Sequence, residues 1–405
     1  MDELRVGVSV LDVTPELGTP LGGYVRFRPA SIIHSKLKVK CLALQNGKNS
    51  VLIVAIDAFA IPNRTASRAR LTIAKELGIP ADSILIAASH THSAPDTIGF
   101  ASPRNRPLAQ KYLTALEGGV IEAARRAWED RFTAQAYVAC GKAFIGFNRV
   151  RWALDQPLYR ALLSTRLIRY ASRVAQVVPA LPIRNPAGLI GPADPDVKIV
   201  WFESEDHRGA VLVNYACHPT ILGPRSQVIS GDYPSVMATR IEDSLGEGFV
   251  VLFANGAAGN INPYTRCGWQ CYGTVDDVER LGRSLADEVL RAMKSSSKPL
   301  GLKLQVKSCT VPLADSEQIQ IQLIYFDDWV MVAVPGELFV ETGLEMMKQI
   351  KRKIVVVGYA NGYAGYFPPE EGFRLRCRET ERTWWNTAER GAAEKIRSTV
   401  MAMMN

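Results

Sequence analysis

The sequence predicts an α/β fold of mixed β-sheets flanked by helices. Three observations carry that expectation. Short, near-continuous apolar runs such as Val51–Ile56 and Phe249–Ala254 suit strands covered on both faces. Longer segments such as Arg64–Leu77 and Val275–Met293 repeat apolar residues at helical spacing. The two kinds alternate without strict regularity, which favours mixed sheets over a purely parallel one.

Taken in order, strands are expected at Arg5–Val10, Lys38–Leu44, Val51–Ile56 and Ser83–Ala87. Helices are expected at Arg64–Leu77 and Leu108–Trp128. Phe132–Val138, Val197–Phe202, Gly209–Cys217 and Phe249–Ala254 read as further strands. Pro234–Leu245 reads as a helix with proline early, where its missing N–H leaves no bond unmade. Val275–Met293 is a longer amphipathic helix. Lys303–Val311, Ile319–Phe326 and Trp329–Val334 form an extended group, followed by the strand Ile354–Gly358. Leu338–Arg352 and Thr387–Met403 read as helices. No repeat is visible along the chain, and no linker-like or low-complexity tract marks a boundary. A single domain over 1–405 is expected, with segments such as Arg173–Asp196 as insertions.

Composition narrows the function. The 405 residues are 47% hydrophobic and 22% charged, as in ordinary soluble globular proteins. The net charge of +8 comes from dispersed Lys and Arg, and no nucleic-acid-binding motif accompanies it, so a nucleic-acid partner is not expected. These residues read chiefly as a solvated basic surface; a narrower reading has Arg374, Arg376 and Arg378 lining a pocket that favours an anion. Seven scattered cysteines and an N-terminus without a signal pattern suggest a cytoplasmic protein. Cys41, Cys217 and Cys309 read as buried; Cys267 and Cys271 share one loop as a disulfide, a metal site or free thiols. No apolar stretch is long enough for a membrane span.

The chemistry gathers after the strand-like runs. Ser83–Ala88 leads into Ser-His-Thr-His-Ser, which uses two of the five histidines. In extended backbone His90 and His92 would project to one face. Imidazole pairs on rigid strand ends suit zinc, which takes nitrogen, sulfur and carboxylate donors. Four more runs lead into His218-Pro-Thr, the Asn255–Pro263 loop, Pro335-Gly-Glu337 and Tyr359–Tyr366. Sites in α/β sheets lie beyond the carboxyl ends of strands, so parallel neighbours would bring His90, His218, Glu337 and a tyrosine to one rim. Glu337 is expected where a strand turns into a helix. His34, Asp57 and Asp232 stand near strand ends as supporting polar groups, and His207 falls in a surface turn. Asn260 and Asn262 read equally as oxyanion donors or as turn-capping residues.

At these residues the chain resembles the catalytic domain of the neutral (alkaline, non-lysosomal) ceramidases, which are zinc-dependent amidases. The matching stretches are Val8–Pro15, Ala88–Pro95, Phe147–Arg149, His218–Thr220, Ser230–Asp232, Gly256–Pro263, Pro335–Glu337 and Asn361–Tyr366. They fall in family order over most of the chain. The resemblance implies Zn2+ held by His90, His218, Glu337 and Tyr366, with Tyr363 as the neighbouring candidate. It places His92 beside the metal as a proton-handling group and Arg149 at the substrate amide or its oxyanion. It also implies a neutral-ceramidase-like catalytic domain without the C-terminal immunoglobulin-like domain.

One departure redirects the mechanism. Where the family carries a catalytic serine before proline, this chain has Asn262, and Asn260 replaces an aspartate. Asparagine has no ionisable hydroxyl and cannot act as that nucleophile. The expected activity is therefore cleavage of an amide, or related carbonyl bond, by zinc-activated water in a small or lipid-like substrate. Two alternatives accompany it: a metal-binding but catalytically silent ligand-binding protein, and a ceramidase with an altered nucleophile. The sequence leaves the oligomeric state open.

Overall fold

The apolar runs become strands in three sheets that share one topology. The computed structural model describes residues 3–26, 28–100, 105–150, 191–265, 272–295, 299–301, 303–313 and 317–404. The first unit contains β1 (Leu4–Asp12), β2 (Ile32–Ile33), β3 (Lys38–Asn46), β4 (Asn49–Ile56), α1 (Asn63–Leu77), β5 (Ile84–Ala88), α2 (Arg106–Glu129) and β6 (Phe132–Thr133). The second contains β7 (Gln135–Lys142), β8 (Gly146–Asn148), β9 (Asp196–Glu203), β10 (Gly209–Tyr215), β11 (Val228–Ile229), α3 (Asp232–Leu245), β12 (Phe249–Asn255), β13 (Ile261–Pro263) and α4 (Val275–Lys294). The third contains β14 (Leu304–Pro312), β15 (Gln318–Phe326), β16 (Trp329–Ala333), β17 (Glu337–Leu338), α5 (Val340–Gln349), β18 (Lys353–Val357), β19 (Tyr366–Phe367), α6 (Glu370–Arg374) and α7 (Ala392–Met404).

The strand orders are β5-β4-β3-β1-β6, β12-β10-β9-β7 and β18-β16-β15-β14. In each sheet an antiparallel series ends in one parallel pair: β4 with β5, β10 with β12, and β16 with β18. A helix bridges each pair, namely α1, α3 and α5. The repeat that is invisible in the sequence is thus a repeat of topology. Side chains from all three sheets, including Leu42, Ile53, Leu212, Leu252, Met331 and Val355, fill one common core. Helices cover the opposite faces: α1 and α2 on the first sheet, α3 and α4 on the second, α5 and α7 on the third. Strands buried on both faces explain the continuous apolar runs.

The carboxyl ends of the three parallel pairs meet in a seam. Gly358 N donates to Asn255 O at 2.9 Å and Asn361 N to Ile86 O at 2.7 Å. The fully buried Asn255 closes the circuit, its Nδ2 donating to Ser89 O at 3.1 Å. Asn214 Nδ2 bridges Ala254 O and Val356 O, each at 2.8 Å. The Asn361 side chain accepts from Ile86 N at 2.9 Å and donates to Gln322 Oε1 at 2.7 Å. Water cannot replace these bonds in the interior, so the seam fixes how the sheets abut.

Several expectations are corrected. The strand expected over Phe132–Val138 breaks at Ala134, because Phe132–Thr133 pairs with β1 while β7 joins the second sheet. Glu337 lies in β17, paired with β19, and the helix begins only at Val340. The last helix starts at Ala392, after Asn386 and Gly391 have shaped a turn. Cys309 is exposed, because β14 is an edge strand with an outward face; Cys41 and Cys217 are buried. The insertion expected at Arg173–Asp196 falls mostly outside the described residues, with Asp196 opening β9. Cys267 and Cys271 also lie outside them. No helix among the described residues is long and apolar enough to cross a membrane.

Because the Asn361 side chain bonds Ile86 across the seam and also holds Gln322, Asn361→Ala, which removes both bonds, should lower the unfolding free energy by about 1–3 kcal/mol in urea denaturation. An unchanged midpoint would mean that the seam contributes no stability.

Candidate metal centre

His90 and His92 follow β5, but the backbone between them is not extended. His90 has φ 68°, a left-handed conformation, so the two-residue alternation expected of a strand is not what aligns the rings. They converge because each is held separately. His90 N donates to Ala58 O at 3.0 Å, and its Nδ1 lies 2.7 Å from Phe59 O. The Phe59 ring packs against both imidazoles, with centroids 4.4 and 5.0 Å away. His92 N donates to Pro219 O at 3.1 Å, which ties this loop to the one carrying His218. On its other side His92 meets the Tyr24 ring at 4.6 Å. Gly23 (φ +76°) passes so close that an added Cβ would lie 2.5 Å from His92 Nδ1.

His218 leaves β10 with its Nδ1 2.6 Å from Ala258 O. A carbonyl can only accept, so Nδ1 of both His90 and His218 carries the proton and Nε2 presents a lone pair. His218 Nε2 nevertheless lies 2.9 Å from Glu337 Oε2, and His90 Nε2 lies 3.5 Å from Glu337 Oε1. His92 Nε2 is 3.3 Å from His90 Nε2. Acceptors at such distances repel one another unless a proton or a metal ion stands between them. The ligand atoms of His90, His92 and His218 all lie within 4.8 Å of one another, and all three rings are buried. The buried His92 Nδ1 has no hydrogen-bond partner among the described residues. This set of imidazoles and one carboxylate has the donor chemistry of a zinc site.

Charge follows the same geometry. Burial would raise the Glu337 carboxyl, but positive charge placed at His90 and His218 outweighs it and holds the group well below its ordinary range. Burial pushes His218 down to about 4 despite Glu337, and it holds His92 well below the usual histidine value. Both rings are thus neutral near pH 7, the state in which an imidazole offers a lone pair to a metal or a proton. Asp232, pushed up to about 7 by burial, accepts from Ile221 N at 3.1 Å and braces the loop after His218.

The tyrosines divide between two neighbours. Glu337 and Tyr366 are register partners in the β17–β19 pair. Tyr363 Oη donates to Glu337 Oε1 at 2.6 Å, whereas Tyr366 Oη lies 3.4 Å from Arg149 Nη2. Burial, and then Glu337, raise both phenols far above their ordinary value. Tyr359 stacks on His90 with centroids 4.0 Å apart.

Arg149 follows β8, which pairs with β13 so that Phe147 faces Asn262. Its Nη1 donates to Asn262 Oδ1 at 2.8 Å, its Nη2 to Gly259 O at 2.5 Å and its Nε to Glu379 Oε1 at 2.9 Å. Burial opposes the charge, but Glu379 outweighs it and Arg149 stays cationic. Since Asn262 Oδ1 is engaged, its Nδ2 remains as a donor. Asn260 takes the capping role instead: Oδ1 accepts from Val340 N at 3.0 Å, and Nδ2 donates to Glu341 at 2.8 Å.

Other expected residues stand apart. Arg374, Arg376 and Arg378 are exposed. His34 bonds Ser230 and meets Glu279, while Asp57 accepts from Lys38 N. His207 is exposed beside Glu203. Sequence reasoning missed Glu379, Phe59, Tyr24 and Arg26. Glu379 sits in the charged run Arg378-Glu-Thr-Glu-Arg382, where nothing distinguishes it from a solvated residue.

No family model and no curated protein matches this chain. Solved structures do. A ceramidase complexed with C2 superposes with a TM-score of 0.78 at 14% identity, over 98% of this chain and 74% of that one. The neutral ceramidase from Pseudomonas aeruginosa gives 0.77 at 16% identity, over 100% of this chain and 75% of that one. The chain therefore has a neutral ceramidase-like fold.

Elemental analysis of protein purified without chelators should find about one zinc per chain, and His90→Ala or His218→Ala should each abolish tight binding. Gly23→Ala, which displaces His92, should weaken zinc affinity by roughly 10–100-fold. Wild-type protein that carries no metal and takes none up would remove the basis for this site.

Proposed function

We propose that this chain is a zinc-dependent hydrolase that cleaves an amide, or a related carbonyl bond, in a small or lipid-like substrate. The observation that carries the reading is the buried group of His90, His92 and His218 closed by Glu337. A fold shared with ceramidases, which are amidases, supports it. Zinc bound there would polarise the scissile carbonyl and lower the pKa of water toward about 7.

The protein's own groups have separable tasks. His90, His218 and Glu337 would hold the metal, with Tyr366 completing the set implied by the resemblance. The carbonyls of Phe59 and Ala258 fix the ligand tautomers. His92 is neutral, and its Nε2 faces the group, so it can take a proton from water and return it to the leaving nitrogen. Arg149 orients Asn262, whose Nδ2 would donate to the oxygen that gains charge during attack. Position 262 offers no hydroxyl, so no acyl group can be carried there.

A second reading, a metal-binding but silent member, is favoured by one observation. Arg149 is largely engaged by Glu379, Gly259 and Asn262, which leaves it few donors for a substrate. An amidase and esterase panel on zinc-loaded protein, including short-chain fluorescent ceramide, separates the readings. Hydrolysis that EDTA abolishes and zinc restores is expected; no turnover of any substrate would favour the silent binder.

Asn262→Ala should leave measurable activity, losing at most one oxyanion donor, roughly 10²–10³-fold in kcat. Mass spectrometry of quenched reactions should find no acyl group on residues 255–263. A trapped acyl-enzyme there would overturn direct attack by water.

A further inference from the structure

Among the described residues, buried cations are answered by carboxylates. Lys40 meets Glu242 at 2.6 Å, Lys198 meets Asp194 at 2.7 Å, Arg70 meets Asp82 at 3.3 Å and Arg149 meets Glu379 at 2.9 Å. Arg131, packed on Trp128, departs from this pattern, and so does Arg26. Arg26 Nη1 donates to Gly22 O at 2.5 Å, and its Nη2 to His92 O at 2.8 Å and Gly223 O at 3.3 Å. Its Nε is buried without an acceptor, and no described carboxylate pairs with the guanidinium. The Tyr24 ring, 5.0 Å from Cζ, gives partial compensation. Burial lowers this arginine to about 10, so it is still a cation at neutral pH.

Three carbonyl dipoles and one aromatic face answer this charge only in part, so a partly buried cation here gains from an anionic partner. This one stands at the candidate centre. Arg26 holds the backbone of His92, and the tyrosine beneath it also packs on the His92 ring. Tyr24 in turn meets Tyr272 at 5.6 Å, which completes an aromatic wall on this side. The exposed arginines Arg374, Arg376 and Arg378, which the sequence offered for anion recognition, lack such a setting.

We infer that Arg26 is the specificity-determining residue and that the substrate is an acyl amide bearing an anionic group, a carboxylate or a phosphate, which pairs with this guanidinium. The inference rests on the hydrolase reading of the same site. Anion pairing would supply the missing counter-charge and set the scissile carbonyl toward the histidines. It would also disfavour neutral amides, which leave the cation unpaired.

The test is calorimetric binding with and without zinc, so it does not depend on turnover. Three probes share one acyl chain: N-hexanoylglycine, N-hexanoylethanolamine phosphate and neutral N-hexanoylethanolamine. At least one anionic probe should bind wild-type protein roughly 10–100-fold tighter than the neutral one, and which anion is preferred identifies the group. Arg26→Gln should erase the preference, and Arg26→Lys should keep part of it, with thermal melts confirming that both variants fold. Equal binding of all three probes, no binding of any, or a preference that survives Arg26→Gln would overturn the inference. Charge-selective binding without hydrolysis would sink only the hydrolase reading; hydrolysis without charge selectivity would sink only this one.

Discussion

The contact among the carboxyl ends of three parallel strand pairs is what the candidate centre depends on. Each pair belongs to a different sheet, so no continuous ladder of strand hydrogen bonds sets their relative position. Buried amides do so instead. Asn255 joins the second sheet to the loop after the first, Asn214 joins the second to the third, and Asn361 joins the third to the first. The loops bearing His90, His218 and Glu337 all leave from this seam. A metal site tolerates errors of only a few tenths of an ångström, and loops alone would not meet that tolerance. Short anchored loops on a fixed junction of rigid strands can.

The seam also explains why the centre is so dry. The common core of the three sheets lies directly beneath it, so the imidazoles and Glu337 are removed from water as a consequence of the packing. Desolvation then acts in one direction on each group. It keeps His92 and His218 neutral, and it makes the close approach of Glu337 to two lone pairs unfavourable without a cation. The arrangement is thus unfavourable in charge, and a divalent ion bound there, as proposed, would relieve it.

How much of this was legible in the sequence depends on where each feature is encoded. The strands were, because burial on both faces writes apolar runs into them. The pair His90 and His92 was visible too, although the left-handed backbone at His90 was not; only the anchors at Ala58 and Phe59 reveal why the rings meet. Sheet membership was illegible at Ala134, where one apolar run serves two sheets. The division of labour between Asn260 and Asn262 was also hidden. The two residues look alike in a loop, and only partners distant in sequence, Val340 and Arg149, separate the helix cap from the group beside the centre. The threefold topology left no sequence trace, since it needs only the same order of apolar runs.

The two partly buried arginines near the candidate centre differ in how their charge is met. Arg149 carries its counter-charge permanently in Glu379 and directs Asn262, so its role is completed within the protein. Arg26 reaches His92 from the other side, and only carbonyl dipoles and an aromatic ring answer it. A site meant for an uncharged lipid would gain from burying neither cation without a partner. The neutralised arginine therefore fits orientation of the reacting bond, and the unneutralised one fits recognition of charge. On this argument Arg26 would meet the proposed anionic group while Arg149 and Asn262 attend the reacting bond. Binding energy from a distant anionic group would then hold the scissile bond in place, a task that needs no hydroxyl at position 262.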